Sequence, residues 1–158
     1  MSSPAAVAAA EETAVTGPRR RATSVDPADT VTVHSPTEVT VRKRIAADEP
    51  YLEGHYPDFT VYPGAFLVES VCEAVLHLVR WTSGADAWAR PAGIQSVRFT
   101  SALAPGDPLE VHCVCRPAED GGLAVEARCT SGDAKAALIR MTFRTTTTAD
   151  DDTGGRDA

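Results

Sequence analysis

Alternating apolar and polar positions, rich in β-branched residues, predict several β-strands along this chain. Two such runs lie at 30–34 and 38–45, and Ser35-Pro36-Thr37 between them makes a β-hairpin the simplest interpretation. Residues 86–91 are expected to form a loop. Further alternating runs, separated by glycine-rich turn signals, lie at 93–102, 108–117, 122–130 and 134–145. The second half of the chain is therefore predicted to be an antiparallel meander.

A long segment between the hairpin and the meander follows a helical pattern instead. Pro63 or Gly64 should begin this helix, because the N–H that proline lacks would have no partner in the first turn. The helix should run to about Trp81 and stop at Ser83-Gly84. Its sequence is apolar over most of the circumference, which predicts burial on most sides. One polar stripe interrupts this pattern and consists of Glu69, Glu73, His77 and Arg80.

These elements together predict an α+β domain. A helix buried nearly all round, beside about six antiparallel strands, requires a sheet that curves over it. Residues 1–28 have no sustained periodicity and are expected to be a disordered arm. Residues 146–158, with Asp150-Asp151-Asp152, are expected to be an acidic disordered tail. The folded domain should therefore occupy residues 29–145.

Charge and composition exclude some functional classes. The formal net charge is −7, which argues against a nucleic-acid-binding protein. No run approaches the ~20 apolar residues that a membrane span needs, and no export signal is evident, so a cytoplasmic location is expected. The four cysteines lack metal-ligand spacing and are interpreted as small apolar residues of a reducing compartment, with disulfide pairing left open.

The chemically informative stretch is 53–69, which runs from a loop into the predicted helix. His55 lies in a turn between Gly54 and Pro57, and Glu69 follows it by 14 positions. A neutral imidazole is available near neutral pH and suits a base. A glutamic acid among apolar neighbours is favoured in its neutral form and suits an acid. His55 and Glu69 are therefore the candidate acid/base pair.

This stretch resembles the active-site signature of the hot-dog-fold 3-hydroxyacyl-(acyl-carrier-protein) dehydratases of fatty-acid and polyketide synthesis. Gly54-His55-Tyr56-Pro57 matches the Gly-His-Phe-Pro turn of that family, and Val61-Tyr62-Pro63-Gly64 matches its aliphatic-x-Pro-Gly step. Glu69 stands five residues after the glycine, as in the family. The resemblance extends to 48–53, 92–99 and 104–107, and covers roughly residues 30–144.

The resemblance implies a hot-dog fold and dehydration of a 3-hydroxyacyl thioester carried on an acyl carrier protein. It implies His55 as the base and Glu69 of a second chain as the acid, so that a monomer would be inactive. The Gly64 N–H, at the positive end of the helix, would hold the thioester oxygen. Substrate contacts are expected at Phe59, Tyr62, Pro63 and Gly64, with no cofactor and no metal.

The same family likeness implies partners. Hot-dog chains close their open sheet edge by dimerising, so a two-fold homodimer or a heterodimer with a second hot-dog chain is expected. The acyl carrier protein is the other expected partner, and it is typically acidic. Six cations of the folded domain are candidates for a basic patch that would receive it, namely Arg42, Lys43, Arg44, Arg80, Arg90 and Arg98.

Two departures from the family pattern keep alternatives open. Asp58-Phe59-Thr60 follows the turn, where Phe59 could narrow or redirect an acyl tunnel, and Glu73 stands where the family commonly has glutamine. The polar stripe could also be a simple solvated helix face, with Glu73 and His77 structural. The alternatives are a hot-dog thioesterase, in which a carboxylate activates water, and a non-catalytic subunit of a heterodimeric dehydratase.

Overall fold

The described part of the chain folds into one α-helix packed against an antiparallel sheet of seven strands. The structure is a computed structural model, and it describes residues 10–14, 26–49, 51–52, 55 and 58–146. The elements are β1 (Glu11–Ala14), β2 (Thr30–Ser35), β3 (Glu38–Arg44), α1 (Gly64–Ser83), β4 (Trp88–Phe99), β5 (Pro108–Pro117), β6 (Leu123–Ser131) and β7 (Ala134–Thr146).

The sheet has the order β1-β2-β3-β5-β6-β7-β4, and every neighbouring pair is antiparallel. The predicted hairpin is β2–β3, and the predicted meander is β5–β6–β7. The strand that follows α1 does not join its sequence neighbour β5 but pairs with β7. As a result, β1 and β4 are the two edges of the sheet.

The core lies between α1 and the inner face of the sheet. Alternate strand residues point toward the helix, for example Val39 and Val41 on β3 and Val111 on β5, all with no exposed surface. The helix buries a stripe at helical spacing, formed by Leu67, Ser70, Val71, Ala74, Val75, Leu78 and Val79. Each large apolar side chain buried here stabilises the fold by ~1.5–3 kcal/mol. The predicted α+β arrangement is confirmed.

The predicted limits of the helix are also confirmed. Pro63 is the N-cap residue, and the helix ends at Ser83. Gly84 follows with a φ of 107°, a conformation that favours glycine, and its N–H donates to the carbonyl oxygen of Arg80.

The prediction that this helix is buried on most sides is wrong for the single chain. Ala65 and Glu69, on the side away from the buried stripe, are exposed. Val68, Cys72 and Leu76 on that side are only half-buried. One face of α1 is therefore left without a covering layer by the chain's own sheet, which covers only the opposite face.

The predicted loop at 86–91 is partly wrong, because β4 begins at Trp88 and includes Pro91. An edge strand such as β4 tolerates proline where no ladder hydrogen bond needs the missing N–H. The pairing of β4 with β7 also shifts register between Pro91 and Gly93.

One strand lies within the segment expected to be disordered. Glu11–Ala14 forms β1 and pairs with Thr30–Val33 of β2. Its four residues are too few to show a period in the sequence. The other residues of that arm before Asp26, except Ala10, and those of the acidic tail after Thr146 lie outside the described residues.

Three of the four cysteines are core residues. Cys113, Cys115 and Cys129 are buried in the core, and Cys72 is half-buried on the helix. The four residues, all within the described part of the chain, form no disulfide. No helix of the described residues combines the length and the apolar character that crossing a bilayer requires.

Candidate active site

A cleft of about 410 Å³ opens where the loop before α1 meets the segment after β4. Residues from the loop and the helix form one wall, and the end of β4 with the following residues forms the other. The lining residues are His55, Val61, Tyr62, Gly64, Leu67, Phe99, Thr100, Ser101, Ala102 and Leu103.

His55 is held in this cleft through both its backbone and its ring. Its backbone N–H donates to the carbonyl oxygen of Leu52 at 3.3 Å. Its Nδ1 lies 2.7 Å from the carbonyl oxygen of Val61. A carbonyl oxygen only accepts, so Nδ1 carries the hydrogen and Nε2 has the lone pair in the neutral ring. The contact with Val61 therefore selects the tautomer in which Nε2 can act as a base.

Gly64 opens α1 and lies against the ring of Phe99. A Cβ at position 64 would come within 2.7 Å of Phe99 Cε1 and closer still to Cζ, so only glycine fits without a shift of that ring. The backbone N–H groups of a first helical turn lack partners within the helix. This end of α1 therefore brings backbone donors and a positive helix terminus to the cleft.

Tyr62 connects the two walls of the cleft. Its backbone N–H donates to the carbonyl oxygen of Leu103 at 2.7 Å. The Tyr62 side chain is buried, and burial, followed by the negative charge of Glu49, raises the pKa of its hydroxyl. The phenol is therefore neutral and acts as part of the wall.

The predicted site residues are only partly brought together. His55, Tyr62 and Gly64 line the cleft. Pro63 caps the helix but does not line the cleft, and the side chain of Phe59 is exposed outside it. The predicted turn residues Gly54, Tyr56 and Pro57 lie outside the described residues.

Glu69 does not line the cleft of its own chain. It is exposed on the uncovered face of α1, so the expectation that its apolar neighbours bury it is wrong within one chain. The reason is its position on the helix, since Glu69 lies opposite the stripe that packs on the sheet.

The rest of the polar stripe is not simply solvated. Glu73 Oε1 lies 3.2 Å from His77 Nε2, one turn along the helix, and both side chains are largely buried. The Arg80 guanidinium lies over the ring of Trp88 at 4.9 Å from its centroid. Glu73, His77 and Arg80 are therefore partly buried and in contact with other side chains, whereas Glu69 is exposed.

The second wall of the cleft and the Lys43–Glu49 ion pair were not predicted from the sequence. Phe99 and Thr100–Leu103 complete the cleft, although only Phe99 belonged to the recognised pattern. Lys43, expected on a basic surface patch, is instead buried and paired with Glu49 at 2.8 Å. The available signal was the alternation of β3, which places residue 43 on the same inward face as Val41.

Comparison with known proteins places this arrangement in a family. Residues 31–138 match the family described as ApeI-like, ApeI dehydratase. Among curated proteins, the chain is 37% identical over 89 residues to the 3-hydroxyacyl-(acyl-carrier-protein) dehydratase FabZ of Nitratidesulfovibrio vulgaris. It is 34% identical over 89 residues to FabZ of Oleidesulfovibrio alaskensis. Each match covers 54% of this chain and 58% of the relative, so the chain spans little more than half the length of these relatives.

Solved structures share the fold. The dehydratase heterocomplex ApeI:P from Xenorhabdus doucetiae aligns with a TM-score of 0.53 and 17% identity, over 70% of this chain and 89% of that one. A hot-dog-like protein from Thermanaerovibrio acidaminovorans aligns with a TM-score of 0.60 and 10% identity, over 72% of this chain and 83% of that one. The fluoroacetyl-CoA thioesterase FlK aligns with a TM-score of 0.57 and 17% identity, over 69% of this chain and 84% of that one. The predicted hot-dog fold is confirmed.

Proposed function

We propose that this chain, which belongs to the ApeI-like dehydratase family, removes water from a 3-hydroxyacyl thioester carried on an acyl carrier protein. The product would be the 2-enoyl thioester. The observation that carries the proposal is the tautomer of His55, which leaves Nε2 as the basic nitrogen beside the amino-terminal end of α1.

The reaction needs a base, an acid and an oxyanion site. Nε2 of His55 would take the proton α to the thioester carbonyl, and the Gly64 N–H would stabilise the charge that develops on the thioester oxygen. The electron pair of the broken C–H bond forms the C=C bond while the C–O bond at the β carbon breaks. A carboxylic acid would then protonate the departing hydroxyl, which leaves as water.

The acid would be Glu69 of a second chain, because Glu69 of the same chain does not reach the cleft. Three surfaces of the single chain support pairing. The edge strand β4 is exposed along most of its twelve residues, including Ile94 with 56% of its surface exposed. The helix face around Glu69 is exposed or half-buried, and Trp81 is 44% exposed. Joining two β4 edges would extend the sheet and cover such apolar surface.

The carrier protein is proposed as the substrate-bearing partner because the matched relatives are named for it. The basic patch expected to receive it is reduced in the structure. Lys43 is buried, and Arg42 is paired with both Glu12 and Glu110. Arg98, exposed beside the cleft residue Phe99, is the best-placed remaining candidate.

The decisive experiment uses carrier-bound 3-hydroxyacyl substrates of several chain lengths. Each is incubated with the pure protein, and the carrier is analysed by intact mass spectrometry. Loss of one water with the acyl group still attached supports dehydration. Unchanged substrate at every length, with a folded protein, contradicts the proposal.

A second candidate is thioester hydrolysis, the activity for which the structural neighbour FlK is named. In that reaction a carboxylate would activate water, and the acyl group would leave the carrier. Release of a free thiol with no enoyl product would decide for it. The FlK similarity is at 17% identity and supports only the fold, so the FabZ relatives favour dehydration.

A third candidate is a non-catalytic role as one subunit of a heterodimeric dehydratase. The ApeI:P structure is named as a heterocomplex, and a second hot-dog chain is proposed as the partner in this case. Activity that appears only when a second hot-dog chain is added would support that role.

A further inference from the structure

A buried ion pair lies directly behind the loop that carries His55. Lys43 Nζ and Glu49 Oε1 are 2.8 Å apart, and their side chains are only 4% and 9% exposed. Lys43 is the only charged residue among those fully buried in the described part of the chain. The pair is made through Oε1 alone, since the buried Oε2 of Glu49 has no hydrogen-bond partner among the described residues. Removal of either residue would leave its partner without a counter-charge in a poorly solvated place.

Hydrogen bonds lead from this pair to His55. The backbone N–H of Ala46 donates to Glu49 Oε1 at 3.3 Å, which closes the turn after β3. The carbonyl oxygen of Glu49 accepts from the Leu52 N–H at 3.0 Å, and that of Leu52 accepts from the His55 N–H. The histidine is thus two backbone hydrogen bonds away from a residue anchored on the sheet.

The same carboxylate is close to the start of the helix. Its charge is among the causes that raise the pKa of the Tyr51 and Tyr62 hydroxyls, after burial itself. Both rings pack edge-on against Phe66 in the first turn of α1, with centroids 4.7 and 5.5 Å from it. Glu49 therefore lies where β3, the His55 loop and the amino-terminal end of α1 meet.

We propose that the Lys43–Glu49 ion pair positions the His55 loop against the amino-terminal end of α1, and that both residues are positioning residues for the base. The effect on activity rests on the proposed dehydratase function, whereas the effect on His55 itself does not. Neither residue lines the cleft, so each acts through the loop and not on the substrate.

The test compares Glu49→Gln, Lys43→Met and the double variant with the wild type. Glu110→Gln is the matched control. It breaks the 2.9 Å ion pair between Glu110 and Arg42, and Arg42 is the neighbour of Lys43 on the exposed face of β3. Steady-state kinetics, thermal unfolding and imidazole NMR are measured for each. The chain has four histidines, and His55→Gln identifies the His55 resonances.

Each single variant is expected to lower kcat by ~10²-fold with little change in KM, because a shift of about 1 Å in a catalytic group has that effect. The imidazole resonances of His55 should move while those of His34 and His112, on the outer face of the sheet, stay in place. The double variant removes both buried charges, so its melting temperature should recover. Its kcat should remain low, because the loop has lost its anchor.

Recovery of kcat together with the melting temperature would overturn the proposal, since the pair would then contribute only stability. Unchanged kcat and unchanged His55 resonances in Glu49→Gln would overturn it as well. If the single variants do not fold, Glu49→Asp keeps the charge and shortens the reach; a wild-type His55 spectrum in that variant argues against positioning. If the wild-type protein dehydrates nothing but the His55 resonances still move in the variants, the positioning role of the ion pair is supported and the proposed function is contradicted.

Discussion

His55 and Val61 are joined by a hydrogen bond of 2.7 Å from the ring Nδ1 to the backbone carbonyl oxygen. The bond joins the histidine to the segment just before α1. It orients the ring and leaves Nε2 as the proton acceptor. The orientation and the tautomer of the candidate base are therefore set by a contact with a backbone carbonyl oxygen.

Replacement of His55 by glutamine is expected to lower kcat by ~10²–10⁴-fold, the usual contribution of a proton-transfer partner. KM should change little, because substrate contacts with the cleft walls remain. His112→Gln serves as the control, since His112 contacts Thr40 on the outer face of the sheet. The rate of enoyl formation on a carrier-bound substrate measures both. Equal activity of the two variants would show that His55 is not the base.

Mixing two inactive variants should restore activity if each site combines residues of two chains. A dimer of one His55→Ala chain and one Glu69→Gln chain contains one site with both native groups. After random reassociation, roughly a quarter of the wild-type rate is expected, since half of the dimers are mixed and each has one intact site. Absence of recovery, with mixed dimers demonstrated by mass spectrometry, would contradict a shared site.

Ile94→Lys is expected to favour the monomer. Ile94 is an exposed apolar residue on the long edge strand β4, and a lysine there disfavours edge-to-edge pairing. Sedimentation velocity should show a smaller species, and dehydration should fall with it. Thr37→Lys, at the exposed tip of the β2–β3 hairpin, is the control and should leave the assembly unchanged. A monomeric wild type would remove the basis of this prediction.

Gly64→Ala is expected to displace the ring of Phe99, which occupies the space that the new methyl group needs. Overpacking of this kind costs ~1–3 kcal/mol of unfolding free energy. The lower end is expected, because Phe99 is 54% exposed and its ring can move outward. Adding Phe99→Ala to Gly64→Ala should restore the stability measured by urea unfolding. A double variant no more stable than Gly64→Ala would show that the ring is not the cause.

Stability should fall at alkaline pH because of the buried thiols. Burial raises the pKa of Cys115 to about 11 and that of Cys129 to about 12, and it raises the pKa of Cys113 as well. In an unfolded chain these thiols titrate near pH ~8.5, so above that value the unfolded state loses protons that the folded state keeps. The stability that the protonated thiols contribute is fully present below that pH. It is lost as the pH rises toward the folded-state pKa values.

Each buried thiol should lower the unfolding free energy by up to ~1.4 kcal/mol per pH unit between its unfolded and folded pKa. Urea unfolding between about pH 8 and about pH 10 measures the slope. Cys115→Ala should make the slope shallower by the share of one thiol. An unfolding free energy that stays constant over this range would contradict the assignment.

Much of the fold was determined by local pattern. The alternation of β5 and β7 and the Pro63-Gly64 start of the helix follow from steric and hydrogen-bonding rules that act over a few residues. The fold class followed from the helix having to bury an apolar stripe against several strands. The same local rules failed at Pro91, because whether a strand tolerates proline depends on whether it lies at an edge of the sheet.

The sequence by itself indicated the candidate site, since His55 and Gly64 stand in a short motif that ends where the helix begins. Only the tertiary structure decided that Lys43 faces Glu49 in the interior, that Phe99 covers Gly64, and that Glu69 is exposed and does not line its own cleft. Those relationships join segments far apart in the chain. They depend on how the strands are ordered and how the helix is rotated on the sheet, which the packing of the whole core sets.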